Sequence, residues 1–99
     1  MHMANNYHST NEREKLLADS FLNLADRQEV LNYLRDLLTP VEIEEFAKRL
    51  EIAKMLHEEK GSYQEIATKV SVSTTTVTRV AQWLKRGCGG YEKVLSRLL

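Results

Sequence analysis

Residues 62–86 read SYQEIATKVSVSTTTVTRVAQWLKR, and the fold turns on how this stretch is divided. Ser62-x-x-Glu65 is a capping box: serine accepts a hydrogen bond from the third helical amide, and glutamate reaches back to the serine amide. It opens a short helix over 63–70. Ser71-Val72-Ser73 makes a three-residue turn, and Ser73 is the N-cap of a second helix over 74–86, which Gly87-Cys88-Gly89-Gly90 stops. Two short helices on a tight turn form a helix-turn-helix, in which the second helix enters the major groove of DNA. Such helices cross closely and need a small residue at the crossing, which Ala67 supplies. Ile66, Val70, Val72, Val77 and Val80 provide the apolar contacts. Ser71 stands where such turns usually carry glycine, at some conformational cost.

The three consecutive threonines raise a further question, because β-branched residues weaken a helix. Once the inward positions are removed, Ser73, Thr74, Thr75, Thr78, Arg79 and Gln82 remain on the outer side of the second helix. A threonine hydroxyl bonds a base edge or phosphate, and its methyl meets the thymine methyl. Exposed amides at the helix N-terminus attract phosphate. Gln64, Lys60 and Lys69 before this helix, with Lys85 and Arg86 near its end, are expected to anchor the DNA backbone.

Outward from this unit the chain reads as helical throughout. Leu16, Leu17, Phe21 and Leu24 mark a first amphipathic helix over about 12–25. Asp26 and Glu29 cap a second, with Val30, Leu31, Leu34, Leu37 and Leu38 on its apolar side. Thr39-Pro40-Val41-Glu42 combines a threonine cap, proline at the first helical position and glutamate three residues on. The third helix is expected to run to about Glu59, burying Ile43, Phe46, Ala47, Leu50, Ala53, Met55 and Leu56, with Gly61 as its left-handed terminator. A sixth helix over 91–98 carries Val94, Leu95 and Leu98. The first two helices hold more apolar surface than so slim a chain covers alone, so a homodimer built from the N-terminal half is expected.

The chain has 99 residues, 42% hydrophobic and 28% charged, which is globular rather than disordered composition. Net charge is zero, but residues 1–59 carry twelve acids against seven bases, and residues 60–99 seven bases against two acids. The basic half leaves room for a local polyanion footprint. Cys88 is the lone cysteine, which excludes an intrachain disulfide and fits a reducing, cytoplasmic setting; no membrane-spanning run or signal segment is present. His2, His8, His57 and Cys88 lack metal-ligand spacing, and no nucleophile–base pairing recurs, so neither a metal site nor an enzyme is expected. Glu44 and Glu45 stand four residues before Lys48 and Arg49, the spacing of helix ion pairs. Residues 1–11 read as a disordered tail whose Met1-His2-Met3 is a cloning scar, ahead of a single helical domain over 12–99 with the helix-turn-helix at 63–86.

From Leu38 to Leu99 the sequence resembles the bacterial Trp repressor family, especially its YerC/YecD branch. The likeness rests on Leu38-Thr39-Pro40, Arg49 with the apolar pattern to Leu56, Ser62-x-x-Glu65, Thr76-Val77-Thr78-Arg79, the Leu84-Lys85 pair and the final apolar helix. It implies six helices per subunit, an intertwined homodimer and repression at a two-fold symmetric operator. It also implies a small-molecule corepressor between the helix-turn-helix heads and the dimer core, L-tryptophan in the tryptophan-responsive members, with Arg49, Arg79 and Thr39 at the matching positions. Two departures stand out: Val80 replaces the glycine after the second arginine, and Trp83 replaces a serine. Valine fills space that an indole needs, and Trp83, one turn beyond Arg79, brings a ring of its own.

The sequence is therefore read as an all-α, six-helix, homodimeric regulator that binds double-stranded operator DNA without depending on L-tryptophan. Any other corepressor is unidentified. The rival reading, favoured by the neutral net charge, is a protein-interaction module that uses its helix-turn-helix as sigma-factor-like domains do, without specific DNA binding.

Overall fold

A computed structural model describes residues 6–98, and Met1-His2-Met3, read above as a cloning scar, and Leu99 lie outside them. Among the described residues there are six helices and no strand: α1 (Glu12–Phe21), α2 (Arg27–Leu37), α3 (Pro40–His57), α4 (Tyr63–Val70), α5 (Thr74–Arg86) and α6 (Gly90–Arg97). Contacts group them into two units, one over Tyr7–Glu45 and one built on the chain from Phe46 onward.

In the Tyr7–Glu45 unit, side-chain caps set the helix starts. Asn11 Oδ1 accepts from the Glu14 amide at 2.9 Å, and Asp26 Oδ1 from the Glu29 amide at 2.9 Å. The Glu14 carboxylate also accepts from the Tyr7 and Thr10 hydroxyls. α1 stops at Phe21, short of the expected 25. The physical reason lies in the next cap: Glu29 Oε1 takes the Ala25 amide at 3.2 Å, which requires the chain to leave the helix before Asp26. Phe21 and Tyr33 meet edge-on at 5.4 Å, and the Tyr33 hydroxyl donates to Ser20 Oγ. Thr39 and Glu42 form the expected reciprocal box at the start of α3: Glu42 Oε1 accepts the Thr39 amide at 2.9 Å, and Thr39 Oγ1 the Glu42 amide at 3.2 Å. Neither α1 nor α2 buries a residue in the single chain.

The second unit holds the core: Ile52 and Ala53 of α3, Ile66, Ala67 and Val70 of α4, Val77 and Val80 of α5, and Leu95 of α6. Full burial of each isoleucine, valine or leucine side chain contributes about 1.5–3 kcal/mol, and of each alanine methyl about 0.8 kcal/mol. Ile52, absent from the expected core, is fully buried, whereas Phe46 and Leu50 remain exposed. The apolar residues of α3 occupy two faces, and only its second half turns inward.

α3 ends at His57 in a Schellman arrangement, with the Lys60 amide on the Met55 carbonyl at 2.9 Å and the Glu59 amide on that of Leu56 at 3.2 Å. The left-handed residue at this end is Glu59, φ 54°; Gly61, expected to fill that role, lies two residues further at φ 127°. α4 ends the same way, with the Val72 amide on the Ala67 carbonyl at 3.0 Å and Ser71 left-handed at φ 63°, ψ 54°. α5 ends at Gly87, where a Cβ would lie 2.3 Å from the Trp83 carbonyl oxygen; only glycine fits this turn unshifted.

Candidate nucleic-acid interface

α4 and α5 take the boundaries read from the sequence, 63–70 and 74–86. Their caps explain the match. Glu65 Oε1 accepts the Ser62 amide at 3.0 Å while Ser62 Oγ accepts the Glu65 amide at 3.1 Å, and Ser73 Oγ accepts the Thr76 amide at 3.2 Å. The two helices pack directly on one another, with Ala67 buried at 5% exposure where a larger side chain would hold them apart. Val77, Val80 and Ala81 are buried on the inner side of α5. The 3.6-residue period then carries Thr75, Thr78, Arg79 and Gln82 to the opposite side, all exposed, with Thr74 and Lys85 on one flank and Thr76 and Trp83 on the other.

The threonines, alike in sequence, are chemically distinct in the fold. Thr76 is half-buried and its hydroxyl pairs with Ser73 Oγ at 3.1 Å, so it reinforces the cap. This shared bond also engages the Ser73 hydroxyl, although Ser73 stays exposed. Thr78 Oγ1 donates to the Thr74 carbonyl at 3.0 Å, which leaves its lone pairs able to accept on an exposed residue. The Thr74 and Thr75 hydroxyls have no protein partner among the described residues. Every other helix carries an acid in its first turn; α5 has none, so no carboxylate offsets the positive end of its dipole.

The expected backbone anchors divide among three surface grooves. Lys60 and Lys69 line one with Glu51, Lys54, Met55 and Glu58, where Lys54 pairs with Glu58 at 3.4 Å. Gln64 and Lys69 share the exposed side of α4. Lys85 lies in a separate cleft of about 390 Å³ with Leu56, Glu59, Tyr63 and Leu84. The spacing of Glu44 and Glu45 to Lys48 and Arg49 does not translate into ion pairs. Lys48 Nζ instead donates to the Ser71 carbonyl at 3.5 Å, tying α3 to the turn.

Of the three residues matched to corepressor binding, Thr39 caps α3 within the Tyr7–Glu45 unit, while Arg49 and Arg79 belong to the other. Arg79 is exposed, with no ion pair or ring contact among the described residues. The Arg49 guanidinium lies over two rings of its own chain, 5.5 Å from the Phe46 centroid and 5.6 Å from that of Trp83. Its charge also reaches Tyr91: burial pushes that phenol's pKa up, and Arg49 partly offsets the rise. Sequence reasoning missed this cluster; the Phe46–Arg49 spacing of three was its one local sign. Val80 is fully buried in the core. The described residues hold no group of three or more metal-ligating side chains, and no helix among them is long and apolar enough to cross a membrane.

Residues 12–99 match the sequence profile of the family described as Trp repressor protein. The uncharacterized protein YerC of Bacillus subtilis is 40% identical over 82 residues, covering 83% of this chain and 78% of that protein. Two solved structures share the fold. A TrpR-like protein from Eubacterium eligens superposes with a TM-score of 0.83 at 36% identity, over 90% of this chain and 91% of the other. A candidate Trp repressor from Staphylococcus aureus gives 0.81 at 32% identity, over 89% and 87%.

Proposed function

The chain belongs to the Trp repressor family, in its YerC-like branch, and from that premise we propose that it is a homodimeric repressor reading a two-fold symmetric operator without L-tryptophan. Membership alone makes it a DNA-binding regulator by kind, and not an enzyme. The observation that carries the finer reading is the division of α5: valines and alanine buried on one side, and threonine, arginine and glutamine exposed on the other. In this reading α4 and α5 are the helix-turn-helix. Thr74, Thr75, Thr78, Arg79 and Gln82 meet base edges, Ser73 and the α5 amides meet phosphate, and Gln64, Lys60, Lys69 and Lys85 hold the flanking backbone.

Dimerisation is supported by the apolar residues of α1 and α2. Leu16, Leu17, Phe21, Leu31 and Leu37 are all exposed in the single chain, a state that a second copy relieves. In the dimer the two α5 helices enter successive major grooves about 34 Å apart. Independence from L-tryptophan is supported by buried Val80 and by the Trp83 ring against Arg49, which engages an arginine the family likeness would give to a free indole.

The test is selection of duplexes from a random library by the purified protein near physiological salt, with and without L-tryptophan. A symmetric site enriched without the amino acid is expected. Enrichment only with it overturns the independence. No enrichment in either arm, together with a protein partner retained at moderate salt, favours a sigma-factor-like docking role, the reading to which the neutral net charge points.

A further inference from the structure

The contacts of Arg49 lead beyond the reading face itself. α5 is held on its inner side by Val77, Val80 and Ala81, whose burial decides which face of the helix points inward and leaves the fine setting of its rotation to contacts on its flanks. A guanidinium over an indole is directional, because attraction depends on the cation lying over the ring face. Trp83 sits on the flank of α5, between the buried side and the outward side that carries Thr75, Thr78 and Gln82. Through it α5 reaches Arg49 of α3, 5.6 Å from the ring centroid. Arg49 is itself set by Phe46, 5.5 Å away on the same helix, and has no carboxylate partner among the described residues. An indole left 45% exposed on a helix flank, facing an unpaired guanidinium, is otherwise unexplained by the core.

We infer that Arg49 and Trp83 form an intrachain clasp that fixes the rotation of α5, so that the chain itself orients its DNA-reading side chains. Both are positioning residues; neither contacts the bases. The inference rests on α5 being the reading helix. Lys48, bonded to the Ser71 carbonyl, holds the turn before α5, and the clasp holds its last turns, so α3 supports α5 from both ends.

The test is a double-mutant cycle on the full-length protein with Arg49→Lys, Trp83→Leu and the pair, plus Trp83→Phe as the conservative change. Affinity is measured for the selected duplex and for unrelated duplex DNA, and melting temperature is measured alongside. Lysine keeps the charge and loses the planar face. Trp83→Leu is expected to weaken specific binding about three- to fivefold, the upper part of the range for a cation–ring contact at an exposed site, and Arg49→Lys to weaken it by no more than that. The double variant is expected to be no worse than either single change, and Trp83→Phe to retain most of the affinity. Binding of Trp83→Leu to unrelated DNA is expected to stay within twofold. Additive losses, or equal losses on specific and unrelated duplexes, overturn the clasp. If the unaltered protein selects no duplex, the DNA-reading proposal fails separately. The clasp is then decided by the melting-temperature cycle, where non-additive shifts uphold it and additive shifts reject it.

Discussion

Ser71→Gly is expected to stabilise the protein although it removes a side chain and adds no contact. Ser71 lies at φ 63°, ψ 54°, in the left-handed region, and closes α4 through the Val72–Ala67 backbone bond. For an L-residue that conformation costs roughly 1–2 kcal/mol through crowding of Cβ against the carbonyl. Glycine removes this cost but gains freedom in the unfolded chain, an opposing effect of about 0.4–1 kcal/mol. The net is a gain of about 0.5–1 kcal/mol per chain, because the Ser71 side chain makes no hydrogen bond among the described residues and its contact with Lys48 uses the carbonyl. For a domain of this size that raises Tm by about 2–8 °C. The assay is calorimetric or circular-dichroism melting at one fixed protein concentration, since association shifts apparent stability. Ser71→Ala is the control: it keeps Cβ, and its melting temperature should stay near that of the unaltered protein. A rise with alanine equal to that with glycine, or a fall with glycine, would refute the reasoning. Glu59→Gly, at φ 54° at the end of α3, should behave alike and add to it.

Three further outcomes follow from the same geometry. Thr75→Ala and Thr78→Ala should change which bases are preferred in a selection, whereas Lys69→Ala should weaken all duplexes alike and reduce the salt slope by about 1; uniform losses from the threonine changes would remove them from base readout. Leu31→Glu, on an exposed position of α2, would be harmless in a monomer but should abolish the dimer, as read by sedimentation equilibrium. Acid should loosen the helix starts. Glu65 and Glu42 are held below the ordinary 4.5 by the backbone amides of Ser62 and Thr39 and then by those residues' hydroxyls, and Glu14 by the Thr10 hydroxyl first and then that of Tyr7. A lowered folded-state pKa gives stability that is full above about 4.5 and lost as pH falls through the folded value, so Tm should drop below that pH, and Glu65→Gln should flatten the fall.

The parts of the fold that the sequence discloses are those fixed by local chemistry. Ser62 with Glu65, Ser73, Thr39 with Pro40, and Gly87 each act within one turn of their own position, so the starts of α3 and α4 and both ends of α5 could be read directly. Where two local signals compete, reading fails. Leu24 continues an apolar period past Phe21, but the cap of α2 claims the backbone there. Gly61 has the residue type of a terminator for α3, while the bonds closing that helix come from Glu59 and Lys60, with Glu59 left-handed. Ile52 escapes the expected core because an apolar stripe on two faces does not say which face meets α4 and α5. The candidate site divides in the same way. The outward positions of α5 follow from helical period alone, but no local rule says that the Thr76 and Thr78 hydroxyls are bonded within the protein while those of Thr74 and Thr75 are not. Contact between Arg49 and Trp83 joins residues far apart in sequence and needs the packed helices to exist.

The charge division of the chain has a consequence for the protein in bulk. Five excess acids before Lys60 and five excess bases from it onward cancel, so near neutral pH the molecules do not repel one another through net charge. If α5 reads DNA as proposed, the acidic stretch of one copy would compete in dilute salt with random DNA for the basic stretch of the next. A duplex offering only phosphates would then meet a rival, while one whose base edges fit α5 would hold contacts that no carboxylate surface can imitate.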